Sequence, residues 1–162
     1  MPLIPIVDTD DNIIEYKERD LLEANDICRV SALWITNSSW KILLAQRHRT
    51  KKRSPLCWWP AVTWTVEKGE TYEENIKRET TEEIGLTGKA FSTGPKIKIP
   101  HPHTYFTQWF LLNEDLEIDK LKIQGDEVES LRWISPPELK QEFAEHPDKF
   151  VPSFPIILPL FL

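Results

Sequence analysis

The chain has 162 residues, enough for one domain with a sizeable core. Its formal net charge of −6 argues against a protein that coats nucleic acid, so no stable nucleic-acid binding is expected. Two cysteines, Cys28 and Cys57, are too few for a disulfide framework or a zinc site, and a cytoplasmic, reducing setting is expected.

In chain order, the start MPLIPIVDTDD has no basic region followed by an apolar run, so no signal peptide is expected. Residues 4–7 and 13–16 flank an Asp-Asp-Asn turn and predict a small hairpin, an extension over residues 1–26 that ends in a polar connection. Residues 27–35 and 41–45 are apolar, and the turn Thr36-Asn37-Ser38-Ser39 between them predicts a second hairpin. The run QRHRTKKRSP then packs Arg47, Arg49, Lys51, Lys52 and Arg53 into seven residues. Such a run is either a solvated loop or a set of donors for the phosphates of a bound substrate, to which basic side chains give charge-assisted hydrogen bonds. The aromatic segment 56–66, LCWWPAVTWTV, follows, and Trp64 either fills core or turns outward to stack on a substrate base.

Thr71 and Glu74 form a capping-box pattern, which predicts a helix beginning at Tyr72 and stopping near Ile84, before Gly85. Within it Glu79, Glu82 and Glu83 fall at i, i+3 and i+4, on one face. Like charges at that spacing repel, and the spacing makes sense under a hard divalent cation such as Mg²⁺ or Mn²⁺, which prefers oxygen ligands. Arg78 and Glu70 complete the cluster, the arginine being a cation that keeps neighbouring acids ionised and oriented. Beyond the helix, residues 89–99 and 105–112 read as strands, with His101 and His103 in a proline-containing break that lacks other metal-ligating residues. Residues 113–125 are a polar connection, 127–134 a strand, and 136–144 a helix capped by Ser135. The last stretch, FVPSFPIILPLFL, is apolar but too short and too rich in proline to span a bilayer, so residues 146–162 are expected to pack on the domain or on a second subunit of a homodimer.

The stretch 64–86 resembles the Nudix box: a glycine, five residues, Glu, seven residues, then Arg-Glu-x-x-Glu-Glu-x-Gly and an apolar residue. Glu70, Arg78, Glu79, Glu82, Glu83, Gly85 and Leu86 match it, whereas Trp64 replaces the opening glycine and Thr80 an aliphatic residue. The resemblance covers residues 27–145 and implies an α/β (α+β) single domain, an α/β/α sandwich with a mixed central sheet. Periodicity alone supports only an α+β domain. It also implies that the backbone carbonyl of Thr63 joins Glu79, Glu82 and Glu83 as a metal ligand, although a tryptophan at 64 resists backbone conformations open to glycine. Glu127, six residues before Trp133, lies where several Nudix enzymes supply an extra glutamate, and its alternative is a solvated strand end.

The flanking segments WWPAVTW, ISPPELKQEF and HPDKFVPSF look like the Nudix branch that includes isopentenyl-diphosphate isomerase. That isomerase needs a cysteine where Thr63 stands, aligned on Gly69, and strand glutamates where this chain has no acid between Glu83 and Glu114. A hydroxyl does not replace a thiol in proton transfer to carbon, because their acidities differ widely. The expected activity is therefore metal-dependent hydrolysis of a diphosphate linkage in a phosphorylated small molecule, such as a nucleoside diphosphate derivative. The alternative from another class is a degenerate domain that binds a nucleotide or protein without cleaving it, for which Trp64 is the main support.

Overall fold

The structure is a computed structural model that describes residues 1–100 and 103–162. His101 lies outside the described residues, and His103 is exposed. The first hairpin forms as expected from β1 (Leu3–Val7) and β2 (Ile13–Glu18), a separate two-stranded sheet whose inner strand buries Ile4, Ile6 and Val7.

The main sheet is mixed and has seven strands: β3 (Cys28–Thr36), β4 (Ile42–Arg47), β5 (Trp58–Pro60), β6 (Val62–Thr65), β7 (Ser92–Ile99), β8 (Tyr105–Asn113) and β9 (Val128–Ile134). Strand side chains alternate between faces, so each central strand contributes to two cores. Leu33, Ile35, Leu43, Ala45, Phe110 and Leu112 pack with helix α1 (Tyr72–Ile84) on one face. Ala32, Trp34, Ile42, Leu44 and Trp109 pack on the other with α2 (Pro136–Glu145) and α3 (Phe154–Phe161). The result is the α/β/α sandwich expected from the resemblance. The apolar end of the chain packs on this second face: Phe154 is fully buried, and the Phe161 ring stacks on Trp34 at 4.3 Å between centroids. No helix among the described residues is long and apolar enough to cross a membrane.

One pairing departs from the sequence reading. β3 and β4 do not run on as a hairpin; they share one residue pair, Thr36 with Ile42, and then separate. β6 pairs with β3 and β5 pairs with β4, so residues 58–65 fill the opening, with the corner between the two short strands at Ala61. The turn at 36–39 does close, through the Asn37 side chain, whose oxygen accepts from the Ser39 and Lys41 N–H groups. Local turn chemistry sets that closure but not which strand occupies the next register. The split brings residues 58–65 into the middle of the sheet and delivers the chain directly to α1.

Candidate metal centre

Helix α1 is fixed at both ends by the signals in its sequence. The Thr71 hydroxyl accepts from the Glu74 N–H, the Glu74 carboxylate accepts from the Thr71 N–H, and Gly85 turns left-handed at φ 69°. Its buried residues are Asn75, Ile76, Glu79, Thr80, Glu83 and Ile84, a stripe in which polar and apolar side chains alternate. Thr80 fits this stripe because its hydroxyl donates to the Ile76 carbonyl at 2.6 Å, which leaves no unpaired donor in the core. A solvated charged face is therefore the wrong description of Glu79 and Glu83, which are 3% and 0% exposed.

The four box acids and the arginine have different roles. Glu70 accepts from Arg78 Nε at 2.6 Å, Arg78 Nη2 at 3.2 Å, Asn75 Nδ2 at 3.0 Å and the Glu67 N–H at 3.1 Å. Burial pulls its pKa up, yet these donors carry it below the usual carboxylate value. Glu70, a catalytic candidate from the box register, is thus braced here by Arg78, Asn75 and the Glu67 N–H. Arg78 is in turn held protonated, first by Glu70, and its Nη1 reaches Glu79 Oε1 at 2.6 Å and Glu82 Oε2 at 3.1 Å. Glu82, with its side chain half exposed, turns toward the same Arg78 nitrogen that Glu79 contacts. Among the described residues no three carboxylate, imidazole or thiol groups already form a cation cage.

Glu83 is the unusual group. Among the described residues neither of its oxygens has a hydrogen-bond partner, whereas the buried Oε1 of Glu79 has only its contact with Arg78 Nη1. Burial, then the like charges of Glu79 and Glu127, push the Glu83 pKa well up, and burial raises that of Glu79 to about 7. A buried carboxylate without donors is costly, and a fold has no structural reason to keep one beside a second buried carboxylate. The set fits a divalent cation: hard oxygens on a rigid helix, those of Glu83 without partners among the described residues, with Glu82 one turn from Glu79 to complete them.

Residues from two loops face this pair. Glu127, just ahead of β9, lies close enough to raise the Glu83 pKa and contacts the Lys51 ammonium. Arg47 also reaches inward: its guanidinium lies 4.4 Å from the centroid of Trp59, and it lowers the Glu83 pKa, as Lys51 does. The basic run is thus divided. Lys51 and Arg47 face the acids, whereas Arg49 is held by Glu129, whose pKa its hydrogen bonds lower to about 2, and Arg53 is exposed.

Trp64 sits in β6 opposite Ser31, on the α1 side of the sheet, because the Ser31 hydroxyl donates to the Tyr72 carbonyl at the start of α1. It is not among the residues with positive φ. The position is extended strand, where tryptophan costs nothing that glycine would save. Its ring is 5.0 Å from the Arg19 guanidinium and 5.7 Å from the Lys51 ammonium. Thr63 pairs with Ala32, so its side chain faces the second core, away from α1, and only its backbone is left to serve the acids.

Sequence spacing gave no sign of Asn75, Arg19 or Asp11. Asn75 ties Glu70 to the Thr65 carbonyl, and Asp11 gathers Arg29, Tyr72 and Lys96 from three separate elements. Only a polar residue inside the apolar stripe of α1 hints at Asn75; the others come together from distant parts of the chain.

A family model described as NUDIX domain matches residues 28–154. The chain is 30% identical over 143 residues to an uncharacterized Nudix hydrolase of Nostoc sp., covering 86% of this chain and 83% of that protein. It is also 36% identical over 70 residues to the 8-oxo-dGTP diphosphatase of Escherichia coli, covering 43% of this chain and 52% of that protein. In structure it resembles DR0079 from Deinococcus radiodurans, with a TM-score of 0.82, 20% identity and 97% of each chain covered.

Proposed function

The chain belongs to the Nudix hydrolase family, and on that premise we propose that it cleaves a diphosphate linkage in a nucleoside diphosphate derivative or a related phosphorylated small molecule, using Mg²⁺ or Mn²⁺. The catalytic unit is taken as residues 27–145, with residues 1–26 and 146–162 as additions to it.

The observation that carries this reading is the buried pair Glu79 and Glu83, facing Glu127, in which both oxygens of Glu83 lack partners among the described residues. Glu79, Glu82 and Glu83 would hold the cation, with the Thr63 carbonyl as a further candidate ligand. Bound there, a divalent cation neutralises the clustered charge of a diphosphate and lowers the pKa of water. The chain's own residues do the rest. Glu70 and Arg78 keep the helix face aligned, Lys51 and Arg47 bring positive charge to the phosphates, and Glu127 is the acid outside the helix placed to take a proton from water. The reading as a binder that does not cleave rested on Trp64, and the extended backbone at that position removes its main support.

The test is a panel of nucleoside triphosphates, dinucleotides, nucleotide sugars and prenyl diphosphates with Mg²⁺ or Mn²⁺, scored for phosphate release. At least one class should be hydrolysed by the parent and lost in the Glu82→Gln, Glu83→Gln double variant. Hydrolysis that survives in the double variant overturns the assignment.

A further inference from the structure

Arg19 closes the first hairpin in a short 3-10 turn, Arg19–Leu21, and its guanidinium lies over the Trp64 ring. Two of its nitrogens, Nε and Nη2, are shielded from solvent and have no hydrogen-bond partner. The Lys51 ammonium lies against the same ring. Two cations on one indole repel each other, and the ring's quadrupole offsets only part of that. Glu127 neutralises Lys51, whereas Arg19 has no carboxylate partner among the described residues, so the two cations keep a net positive charge at the ring in this corner. The corner exists because residue 64 is a tryptophan: a glycine at that position, as in the family pattern, leaves neither cation a ring to rest on.

We propose that Arg19, Lys51 and Trp64 form an anion subsite that takes a phosphate group of the substrate, beside the acids of α1. The arginine fork suits the paired oxygens of a phosphate, and the lysine adds a second point charge. Arg19 is only half buried, so a change of side-chain rotamer brings the fork from its resting place on the ring to the ligand. The residue reaches the site from the hairpin that precedes the family match, which makes the N-terminal extension part of substrate recognition. The identity of the ligand as a substrate phosphate rests on the hydrolase reading above.

The experiment is calorimetric titration of the full chain with inorganic pyrophosphate at low ionic strength, with EDTA present so that no divalent cation contributes. The parent should bind. Arg19→Gln should weaken binding about tenfold, Arg19→Lys less because it keeps the charge without the fork, and Trp64→Gly should weaken it as Arg19→Gln does. Melting temperatures are taken alongside; if Arg19→Gln melts lower than the parent, Arg19→Lys and Trp64→Gly decide. No binding by the parent, or parent-like binding by variants that melt as the parent does, overturns the proposal. Acetate at the same concentration should not compete, and competition as strong as that of pyrophosphate would make this a carboxylate site and overturn the phosphate assignment. Because no turnover is involved, failure here leaves the hydrolase reading standing on its own test. Equally, a substrate panel with no hydrolysis leaves an Arg19-dependent pyrophosphate site intact.

Discussion

Glu82 and Glu83 are neighbours in the chain with opposite surroundings: one is half exposed and paired with Arg78, the other is buried with no partner at all. Their variants should differ accordingly. Glu82→Gln loses an exposed ion pair worth less than about 1 kcal/mol and should melt close to the parent. At Thr63 a hydroxyl stands where isomerase chemistry needs a thiol, so incubation with isopentenyl diphosphate in deuterated water should give no allylic product by NMR; enzyme-dependent dimethylallyl diphosphate would contradict this. In the basic run, Lys51→Met should raise KM roughly fivefold at low salt, with kcat changed less and the effect shrinking as salt rises. Arg49→Gln with Arg53→Gln should change KM little, because Glu129 holds the first and the second is exposed. Equal effects in steady-state kinetics would restore the whole run as a phosphate contact. The sequence disclosed the acids, since their spacing on one helix is local. It did not disclose the turn of Glu82 toward Arg78 or the meeting of Arg19 with Trp64, which depend on rotamers and on contacts between distant segments.

At the scale of elements, α1 was legible to the residue, because a capping box and a left-handed glycine are local signals. The separation of β3 from β4 was not, because the competing partners, residues 58–65, enter from beyond the loop. The first hairpin is latched to the domain by Asp11, whose carboxylate accepts from Arg29 Nε at 2.7 Å and from the Tyr72 hydroxyl at 3.1 Å, and meets Lys96. Burial raises its pKa, but the Lys96 and Arg29 contacts win and lower it below 3.8. A depressed folded-state pKa adds stability that is present above the unfolded value and is lost as pH falls through the folded one. Asp11→Asn keeps the left-handed turn that asparagine tolerates, so it isolates the charge. It should cost about 1–2 kcal/mol near neutral pH, and in chemical denaturation the gap to the parent should close as pH drops below 3.8. A gap that stays constant with pH would mean the latch is not ionic.

For the whole molecule, the two faces of the sheet divide the work. One carries α1 and the acids; the other is closed by α2 and α3, where Phe161 covers Trp34 and Trp109 and Phe154 packs on Phe143 and Phe150. Phe154→Ala removes a fully buried ring and should cost about 3–5 kcal/mol in thermal or chemical unfolding. A loss below 1 kcal/mol would mean that α3 is not part of the folded core. The two-faced sheet was legible through the family resemblance rather than through periodicity, and the tail's apolar composition pointed to its burial. Which surface would bury it depended on the shape of the finished second face. Against a net charge of −6, Lys51 and Arg47 form a local positive patch facing the acids.

The central claim is that Glu83 is left without a partner beside buried Glu79 so that a divalent cation can bind there. It is tested most directly by titrating Mn²⁺ into the parent and the Glu83→Gln variant, following free Mn²⁺ by electron paramagnetic resonance, and melting both proteins without metal. The account predicts that Glu83→Gln loses most Mn²⁺ affinity yet melts no lower than the metal-free parent, since a neutral amide replaces a carboxyl group whose charge is costly where it lies. Parent-like Mn²⁺ affinity in Glu83→Gln would contradict it.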